Sequence, residues 1–237
     1  LLSIKSSDEV RLSVGNQARA IVESITAIPS GSEDQVYISV KREINGSTVR
    51  HIAFINTIYF NDQVTEAFFV DDGLTYQGVS TSTISGLNHL EGEVVSILAD
   101  GSTHPDKTVT NGKVTLDRNT THAHIGFGYK SFIETLRLEA GADDGIAQGK
   151  IKRIHGVTAR FLNTVGAEIG PSTANLDRVP FRDSSMSMDE AVPLFNGDKE
   201  VSFPSGYDND AQIVIQQTQP LPMAVLAIMR RSNTFDA

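Results

Sequence analysis

Cysteine and tryptophan are absent from the 237 residues of this chain. The absence of cysteine excludes disulfide bridges, zinc ribbons and thiol nucleophiles, because each of these needs the sulfur atom. Long apolar runs are missing too. The longest candidate, residues 221–229, contains Pro222 and is far shorter than the roughly 18 residues of a membrane span. We therefore expect neither a disulfide framework nor a membrane-spanning segment.

Positive charge is also scarce. The chain has 20 Lys and Arg residues against 29 Asp and Glu residues, which gives a formal net charge of −9. This balance argues against tight binding to phosphate backbones, where clustered Lys and Arg displace counterions. An acidic surface is compatible with a channel through which DNA slides without sticking.

Motifs of covalent and nucleotide-dependent catalysis are lacking. The sequence contains no Gly-x-Ser-x-Gly nucleophile elbow, no phosphate loop ending in Gly-Lys-Ser/Thr and no dinucleotide fingerprint. It opens with Leu1-Leu2 rather than with an initiator Met or a signal peptide, so we interpret it as a portion of a longer protein. We expect no enzyme activity, no cofactor and no metal.

Two Asn-Gly dipeptides mark the β-hairpins that the sequence predicts most clearly. Asn and Gly tolerate the positive φ that a two-residue type I′ turn requires. In the second hairpin, apolar and polar residues alternate with a period of two, as in strands with one solvated face. The predicted hairpins are residues 36–40 and 47–52 around Asn45-Gly46, and residues 107–110 and 113–116 around Asn111-Gly112.

Short β-rich segments separated by Gly, Asp and Asn continue along the chain. A strand spacing of roughly ten residues is typical of sandwiches and barrels. We predict an all-β fold of antiparallel sandwich or barrel modules, with part of a β-propeller as a further option. Residues 16–24 fit either one short helix or a strand. The other predicted strands are residues 93–99, 124–129, 135–139, 150–161, 200–203, 211–216 and 223–229.

Changes in composition suggest where modules begin and end. A Ser/Thr/Gly stretch covers residues 80–86, and Gly and Pro interrupt the chain at residues 166–171. Residues 181–198 are expected to form a long loop. We expect a β-rich module at 1–85, which has room for partial propeller blades, a small barrel or sandwich at 86–170, and strands at 171–237 that complete or pack on the first module.

A basic cluster lies on the predicted strand at residues 150–161. It consists of Lys150, Lys152, Arg153 and Arg160, together with His155. Because residues two apart share a strand face, part of this cluster is expected to present its charge on one side. We predict a contact with DNA or with an acidic neighbouring subunit; an ordinary solvated face is the alternative.

Pairs of titratable residues allow two further interpretations. His122 and His124 share a strand face, a spacing that cupin-type metal sites use, but the next carboxylate, Glu134, is ten residues away. If residues 88–94 are extended, one histidine and two glutamates share a face, which suits either acid–base chemistry or a solvated strand. These three residues are His89, Glu91 and Glu93.

Three acidic turns, at residues 71–73, 143–145 and 208–210, match a calcium loop only in part. Ordinary turn chemistry explains them as well, because Asp and Asn bond their own backbone and tolerate unusual φ. We expect no metal at any of them.

Six segments carry a family likeness, three of which follow one another in order from residue 86. They are residues 86–101 with His104-Pro105, residues 109–117, residues 125–129, residues 40–42 with 44–46, residues 148–154 and residues 219–222. Together they span most of residues 36–229. In these segments the chain resembles the tail nozzle (tail tubular protein B-like) subunits of short-tailed bacteriophages.

This resemblance implies a β-rich, partly propeller-like subunit that assembles as a ring, usually a hexamer, beneath the portal and adaptor of the virion tail. DNA leaves through the central channel of such a ring, and tail fibre or spike proteins are its further neighbours. Family members are much longer, so the resemblance implies a C-terminal portion, made in the host cytoplasm. It transfers no catalytic residue.

Two other classes of function stay open on the sequence alone. A carbohydrate-binding β-sandwich for host-surface recognition would be favoured by Tyr and Phe side chains clustered on one exposed face. A cupin-like metalloenzyme would need His122 and His124 to converge with a carboxylate. The leading prediction is a structural protein of the phage tail that conducts DNA and holds adjoining tail proteins.

Overall fold

Antiparallel strands form nearly all the regular structure of this chain. The structure, a computed structural model, describes residues 11–12, 20–31, 33–56, 59–139, 141–142, 145–146, 149–203 and 206–235. Strands contain 62% of these residues and short 3₁₀ turns 3%. Every strand pairing among them is antiparallel. The predicted all-β fold is confirmed.

The first of two compact units consists of Leu1–Lys130 and Thr218–Pro220. Its described residues form two four-stranded sheets. The first sheet has the order β1-β2-β3-β4, with β1 at Arg11–Leu12, β2 at Ala20–Ser30, β3 at Glu33–Ile44 and β4 at Ser47–Phe54. The second has the order β5-β8-β6-β7, with β5 at Asp71–Ser85, β6 at Val94–Ala99, β7 at Ser102–Thr108 and β8 at Lys113–Phe127. Short 3₁₀ turns lie at Val64–Glu66 and Asn88–Leu90.

The Asn45-Gly46 turn joins β3 to β4 as predicted. Its two residues have φ values of 46° and 72°, and the strands pair from Ile44 opposite Ser47 outward. The Asn111-Gly112 turn also has two positive φ values, 54° and 64°. A single bridge, Thr110 to Lys113, closes it, whereas β7 pairs with β6, and β8 pairs with β5 and β6. The second prediction is thus right about the turn and wrong about which strands pair.

The core of the first unit is built mainly on the second sheet. Val95, Ile97, Ile125 and Phe127 are at most 1% exposed, and Ile44 of β3 belongs to the same cluster. The end of β3 nearest the Asn-Gly turn therefore packs on the second sheet. This packing positions the surface that the rest of the first sheet presents.

The second unit consists of Ser131–Gln217 and Leu221–Ala237. Its core contains Val157, Phe161, Ile169, Ile213 and Ile215, each at most 1% exposed. Its strands are β9 at Ser131–Glu134, β10 at Gly141–Ala142, β11 at Gly145–Ile146, β12 at Ile151–Thr164, β13 at Glu168–Ser172, β14 at Asn175–Arg178, β15 at Phe195–Val201, β16 at Val214–Gln217 and β17 at Ala224–Phe235. They form sheets of order β14-β13-β16-β9, β15-β12-β17 and β10-β11.

The bounds of these units differ from those of the three predicted modules. Ser85, the last residue of β5, pairs with Lys113 of β8, so one sheet contains residues from both sides of the expected break at 85/86. Arg160 of β12 likewise pairs with Asp198 of β15 across the expected break at 170/171. Pairing between strands distant in sequence sets the units, and local composition does not reveal it.

Two further predictions concern single segments, residues 16–24 and 135–139. Residues 20–24, which fit a helix or a strand in the sequence, lie in β2, while residues 13–19 fall outside the described residues. Residues 135–139 were expected to form a strand, but the strand in this region, β9, ends at Glu134. Among the described residues, no helix is long and apolar enough to cross a membrane.

Candidate functional site

The outer half of the first sheet is an exposed apolar surface. We define the outer half-sheet as residues 24–30, 34–39 and 51–55. Soluble proteins rarely expose a contiguous apolar patch unless another molecule covers it. Its exposed large side chains are Ile25 at 68%, Ile28 at 47%, Ile52 at 82%, Phe54 at 51% and Ile55 at 54%.

One face of the outer half-sheet combines aliphatic and aromatic groups. Tyr37 pairs with Phe54, and Ile28 pairs with Gln35. Because side chains two apart point to the same side, Ile28, Tyr37 and Phe54 lie on one face, together with Ile52. The rings of Tyr37 and Phe54 are 6.1 Å apart between centroids. This face therefore offers a partner apolar groups interspersed with the polar side chains of Thr26, Gln35 and Ser39.

The opposite face is buried near the Asn45-Gly46 turn and exposed to solvent toward the other end of β3. Val40 and Ile44 point to this face and are 0% and 6% exposed. Ile38, on the same side of β3, is only partly buried, and its pair on β2, Ile25, is 68% exposed. β3 therefore extends beyond the core on which it packs, and both faces of the outer half-sheet present exposed apolar side chains.

β4 forms an open edge of this sheet. Ile55 N–H donates to Val36 O at 2.9 Å, and the alternation of an antiparallel ladder then turns the odd-numbered residues of β4 toward β3. The even-numbered residues turn their N–H and C=O groups outward, and within the described part of the chain no other strand pairs with them. An apolar edge strand is a template for pairing with another chain. These outward residues are Thr48, Arg50, Ile52 and Phe54.

A buried ionic cluster fixes the first sheet to the start of β5. Arg42, 2% exposed, donates from Nη2 to Asp71 Oδ1 at 2.8 Å, and its Nε lies 3.5 Å from Asp72 Oδ2. His51 Nδ1 is 2.8 Å from the same Asp72 oxygen. His89 Nε2 donates to Asp72 O at 3.0 Å. The cluster anchors the strands that carry the outer half-sheet.

The predicted basic residues do not form one positively charged face. Lys152 is 1% exposed and donates from Nζ to Asn209 O at 2.6 Å, so it points into the unit and not toward a surface. Arg160 donates from Nε and Nη2 to the two carboxylate oxygens of Asp198 at 2.7 and 2.9 Å. This hydrogen bonding raises the pKa of Arg160 and lowers the pKa of Asp198. The charge of Arg160 is thus already matched within the chain.

The remaining two predicted residues lie at the beginning of β12. Lys150 is partly buried just before this strand, and Arg153 is exposed. The Arg153 guanidinium carbon lies 5.5 Å from the centroid of the Tyr207 ring. Tyr207 in turn meets Phe235 at 5.4 Å between ring centroids, with an angle of 70° between the rings. We call these two rings the aromatic corner.

His122 and His124 lie side by side, with ring centroids 4.9 Å apart. A carboxylate does come near: His122 Nδ1 is 3.5 Å from Glu66 Oε1. Both ring nitrogens of His124 are engaged, because Nε2 donates to Thr65 O and Nδ1 accepts from the Thr75 hydroxyl, each at 2.9 Å. Burial lowers the pKa of His124, and His122 lowers it further. The His124 ring is therefore arranged as a hydrogen-bonded structural group.

The carboxylates of Glu91 and Glu93 hold the two Asn-Gly turns. Residues 88–92 form a 3₁₀ turn and a tight turn, so the extended arrangement considered for this segment does not occur. Glu91 accepts from the N–H groups of Asn111 and Gly112 at 2.8 and 2.6 Å. Glu93 accepts from Asn45 N–H at 2.6 Å. Their geometry suits turn stabilisation and gives no acid–base pair.

The two acidic turns that the structure describes are bonded to other residues of the chain. The first turn belongs to the Arg42 cluster. In the third, Asp208 exchanges backbone hydrogen bonds of 2.7 and 2.8 Å with Lys152. Asp143 and Asp144 lie outside the described residues. Across the residues for which the structure gives positions, no three His, Asp or Glu side chains form a group that could hold a metal ion.

Comparisons with known proteins assign no family. No protein-family model matches the chain, and no curated protein matches it. The resemblance to tail nozzle subunits therefore stays a prediction from the sequence.

Sequence reasoning missed both exposed surfaces. The outer half-sheet does have a local signal, because residues 52–55 are four consecutive apolar residues and so place apolar groups on both faces of an extended strand. The aromatic corner has none, since Tyr207 and Phe235 are 28 positions apart. The pairing of β17 with β12 and the backbone bridge between Lys152 and Asp208 bring them together.

Proposed function

We propose that this chain is a structural subunit of a bacteriophage tail nozzle, where copies of it form part of a ring through which DNA leaves the virion. The observation that carries this proposal is the apolar outer half-sheet. Burying one large aliphatic or aromatic side chain contributes about 1.5–3 kcal/mol. Several such side chains are exposed together on one sheet. Burying them against a neighbouring copy would drive assembly of the subunits.

Exposure on both faces favours a ring over a simple pair. A two-fold dimer brings together the same patch of two copies, which covers one face of a sheet. In a closed ring each copy has one neighbour on either side, so both faces and the open edge of β4 can be covered. The resemblance of residues 36–229 to nozzle subunits independently supports the same architecture.

The overall charge suits a conduit for DNA. With a net charge of −9, the chain repels phosphate groups on average, so DNA passing a channel wall of this composition is not retained. The adaptor, the portal-proximal proteins and the tail fibres or spikes are the neighbours that this proposal assigns to the ring.

The proposal is tested with a charged double variant of the outer half-sheet, I52K with F54K. We expect the wild-type chain to sediment as concentration-dependent oligomers and the double variant as a monomer, because two buried ammonium groups without partners oppose association. Sedimentation velocity over a concentration series measures this. Val79→Lys is the matched control, since Val79 of β5 and Ile52 are both 82% exposed.

Electron microscopy of the wild-type oligomers should show rings with a central opening. A wild-type chain that stays monomeric throughout the concentration series would contradict the proposal. An equal loss of association in V79K and in the double variant would also count against it, because the outer half-sheet would then have no special role. Circular dichroism establishes that the variants keep their β structure.

A further inference from the structure

Three asparagines of this chain are followed directly by glycine, at Asn45-Gly46, Asn111-Gly112 and Asn196-Gly197. In each pair the backbone nitrogen of the glycine can close a five-membered ring onto the side-chain amide carbon, Cγ, of the asparagine. Glycine favours this ring closure because it has no Cβ to obstruct the approach and because its backbone adopts many conformations. The surroundings of the three pairs therefore decide which of them can react.

The Asn111-Gly112 pair is held at its nitrogen. Gly112 is buried, and its N–H donates to Glu91 Oε2 at 2.6 Å. Its carbonyl accepts from Leu87 N–H at 3.0 Å, so the glycine is bonded on both sides. The Gly112 nitrogen has to break the bond to Glu91 before it can turn toward Asn111 Cγ. The negative charge of the same carboxylate also opposes the loss of the amide proton.

The Asn196-Gly197 pair is held at its side-chain amide. Asn196 Oδ1 accepts from the backbone N–H of Asn163 at 2.6 Å, and Asn196 Nδ2 donates to Asn163 Oδ1 at 2.9 Å. Both polar atoms bonded to Cγ are therefore engaged by one partner residue. Rotation of this amide toward the Gly197 nitrogen would break both hydrogen bonds.

The Asn45-Gly46 pair has neither restraint. Both residues are exposed, and among the described residues none is hydrogen-bonded to the Gly46 N–H or to the Asn45 side-chain amide. The bond from Asn45 to Glu93 uses the Asn45 backbone N–H, which takes no part in ring closure. Asn45 and Asn111 share a left-handed backbone, with φ of 46° and 54°, so the rotation that ring closure requires is alike in the two turns. The difference between these two pairs lies in their surroundings.

We propose that Asn45 is a site of spontaneous deamidation and that it reacts ahead of the other two pairs. The Gly46 nitrogen bonds to Asn45 Cγ while the Cγ–Nδ2 bond breaks, and the amide nitrogen leaves as ammonia with the proton from Gly46. Water then opens the ring at either of its carbonyls and gives aspartate or isoaspartate at position 45. Water is the only co-reactant, and nothing is oxidised or reduced. The site is a property of the turn and is independent of the proposed role in a tail.

Either product changes the junction at which β3 packs on the second sheet. The new carboxylate belongs to the residue whose N–H is bonded to Glu93 at 2.6 Å, so two negative charges come close together. Isoaspartate also adds a carbon atom to the main chain, which a two-residue type I′ turn does not accommodate. Ile44, next to this turn, is 6% exposed and belongs to the core of the first unit. We therefore expect deamidated molecules to have a less stable first unit.

Peptide mapping by mass spectrometry tests the site on the whole folded chain. The chain is incubated in mildly alkaline buffer made with heavy-oxygen water, so that products formed during the incubation carry the label. We expect Asn45 to convert about tenfold or more faster than Asn111 or Asn196, because each of those must first break the hydrogen bonds that hold it. In urea, where the chain is unfolded, the three rates should converge.

A pair of variants tests the protection of the second turn. Glu91→Ala should accelerate conversion at Asn111, because it removes the acceptor of the Gly112 N–H. Glu93→Ala is the matched control, since Glu93 holds the other turn and its loss should leave Asn111 at the wild-type rate. The comparison of the three pairs within the wild-type chain remains decisive if Glu91→Ala does not fold.

The fraction modified at Asn45 carries an additional negative charge, so anion exchange separates it, and it should unfold at a lower urea concentration than the unmodified fraction. Equal rates at the three pairs in the folded chain would overturn the proposal. Faster conversion at Asn111 or Asn196 would overturn it too, as would an unreacted Asn45 over a time in which the unfolded chain converts. An unchanged Asn111 rate in Glu91→Ala would overturn the protection assigned to Glu91, and equal stability of the two fractions would overturn the effect on the first unit.

Discussion

Buried histidine rings connect backbone segments of the first unit. His124 spans from Thr65 O to the Thr75 hydroxyl. His104 does the same elsewhere: its Nδ1 donates to Pro105 O at 2.8 Å, and its Nε2 accepts from Asp117 N–H at 2.9 Å. In both rings one nitrogen donates and the other accepts. Each ring therefore connects two segments of the chain through both of its nitrogens.

This arrangement predicts that acid weakens the first unit through His124. Its pKa is below the usual 6.5 in the folded chain because of burial. As the pH falls below 6.5, the unfolded chain takes up the proton first, so the stability contributed by the neutral ring is lost progressively toward the lower folded pKa. We expect the free energy of unfolding to fall with pH in this window, and to fall less steeply in His124→Gln. Urea titrations at a series of pH values measure both slopes.

The exposed His155 of β12 provides the control for this experiment. His155→Gln makes the same side-chain change at an exposed position and is compared directly with His124→Gln. If His124→Gln showed the full wild-type slope, another group would be responsible for the acid sensitivity.

At the scale of elements, the two Asn-Gly turns differ in their surroundings. Gly46 and Gly112 have φ values of +72° and +64°, which glycine adopts more readily than any other residue. A Cβ on Gly46 would have nothing within 4 Å, whereas a Cβ on Gly112 would lie 2.1 Å from Asn88 Oδ1 and 2.8 Å from Asn88 Cγ. The first turn is open, and the second is packed against its neighbours.

We therefore expect unequal effects from the same substitution. Gly46→Ala should lower the stability of the first unit by about 1–2 kcal/mol, the usual cost of left-handed backbone for an L-residue. Gly112→Ala should cost clearly more, because Asn88 must also move. Chemical denaturation of the two variants compares them directly. Equal losses would mean that Asn88 moves away freely, so the tight packing of the second turn would have no energetic effect.

The two turns also show which parts of the strand arrangement can be predicted from the sequence. The hairpin at Asn45-Gly46 could be predicted because its strands are separated by only two residues. The partners of β8 could not, because Lys113 pairs with Ser85, 28 positions earlier. Lys152 was predicted to share a strand face with Lys150. Its hydrogen bond to Asn209, 57 positions later in the chain, could not be predicted, because no local sequence pattern indicates this contact. Local chemistry predicts turns, and distant contacts decide what is buried.

At the scale of the whole molecule, the two units have separate apolar cores. Ile97 belongs to the core of the first unit and Ile215 to that of the second, and both are 0% exposed. No residue is shared between the two clusters. Because each unit is stabilised by its own core, a cavity in one core should lower the free energy of unfolding of the unit that contains it before it affects the other.

Matched cavities test this independence. Ile97→Ala and Ile215→Ala should each destabilise the unit that contains the residue by about 2–5 kcal/mol. Hydrogen exchange read by mass spectrometry should show faster exchange in the strands of that unit and near wild-type exchange in the other. If either variant lost protection across the whole chain, the two units would unfold as one.

The open edge of β4 has a consequence for how the protein is made. In the proposed ring, each newly synthesised copy displays this edge until a neighbour covers it, and mispairing with other nascent chains competes with assembly. The ion pair between Arg50 and Glu23, at 2.8 Å, places charges beside the apolar stretch, in the manner of gatekeeper residues that discourage aggregation. Rapid overproduction of the chain alone should therefore favour inclusion bodies, and slow synthesis should favour recoverable protein.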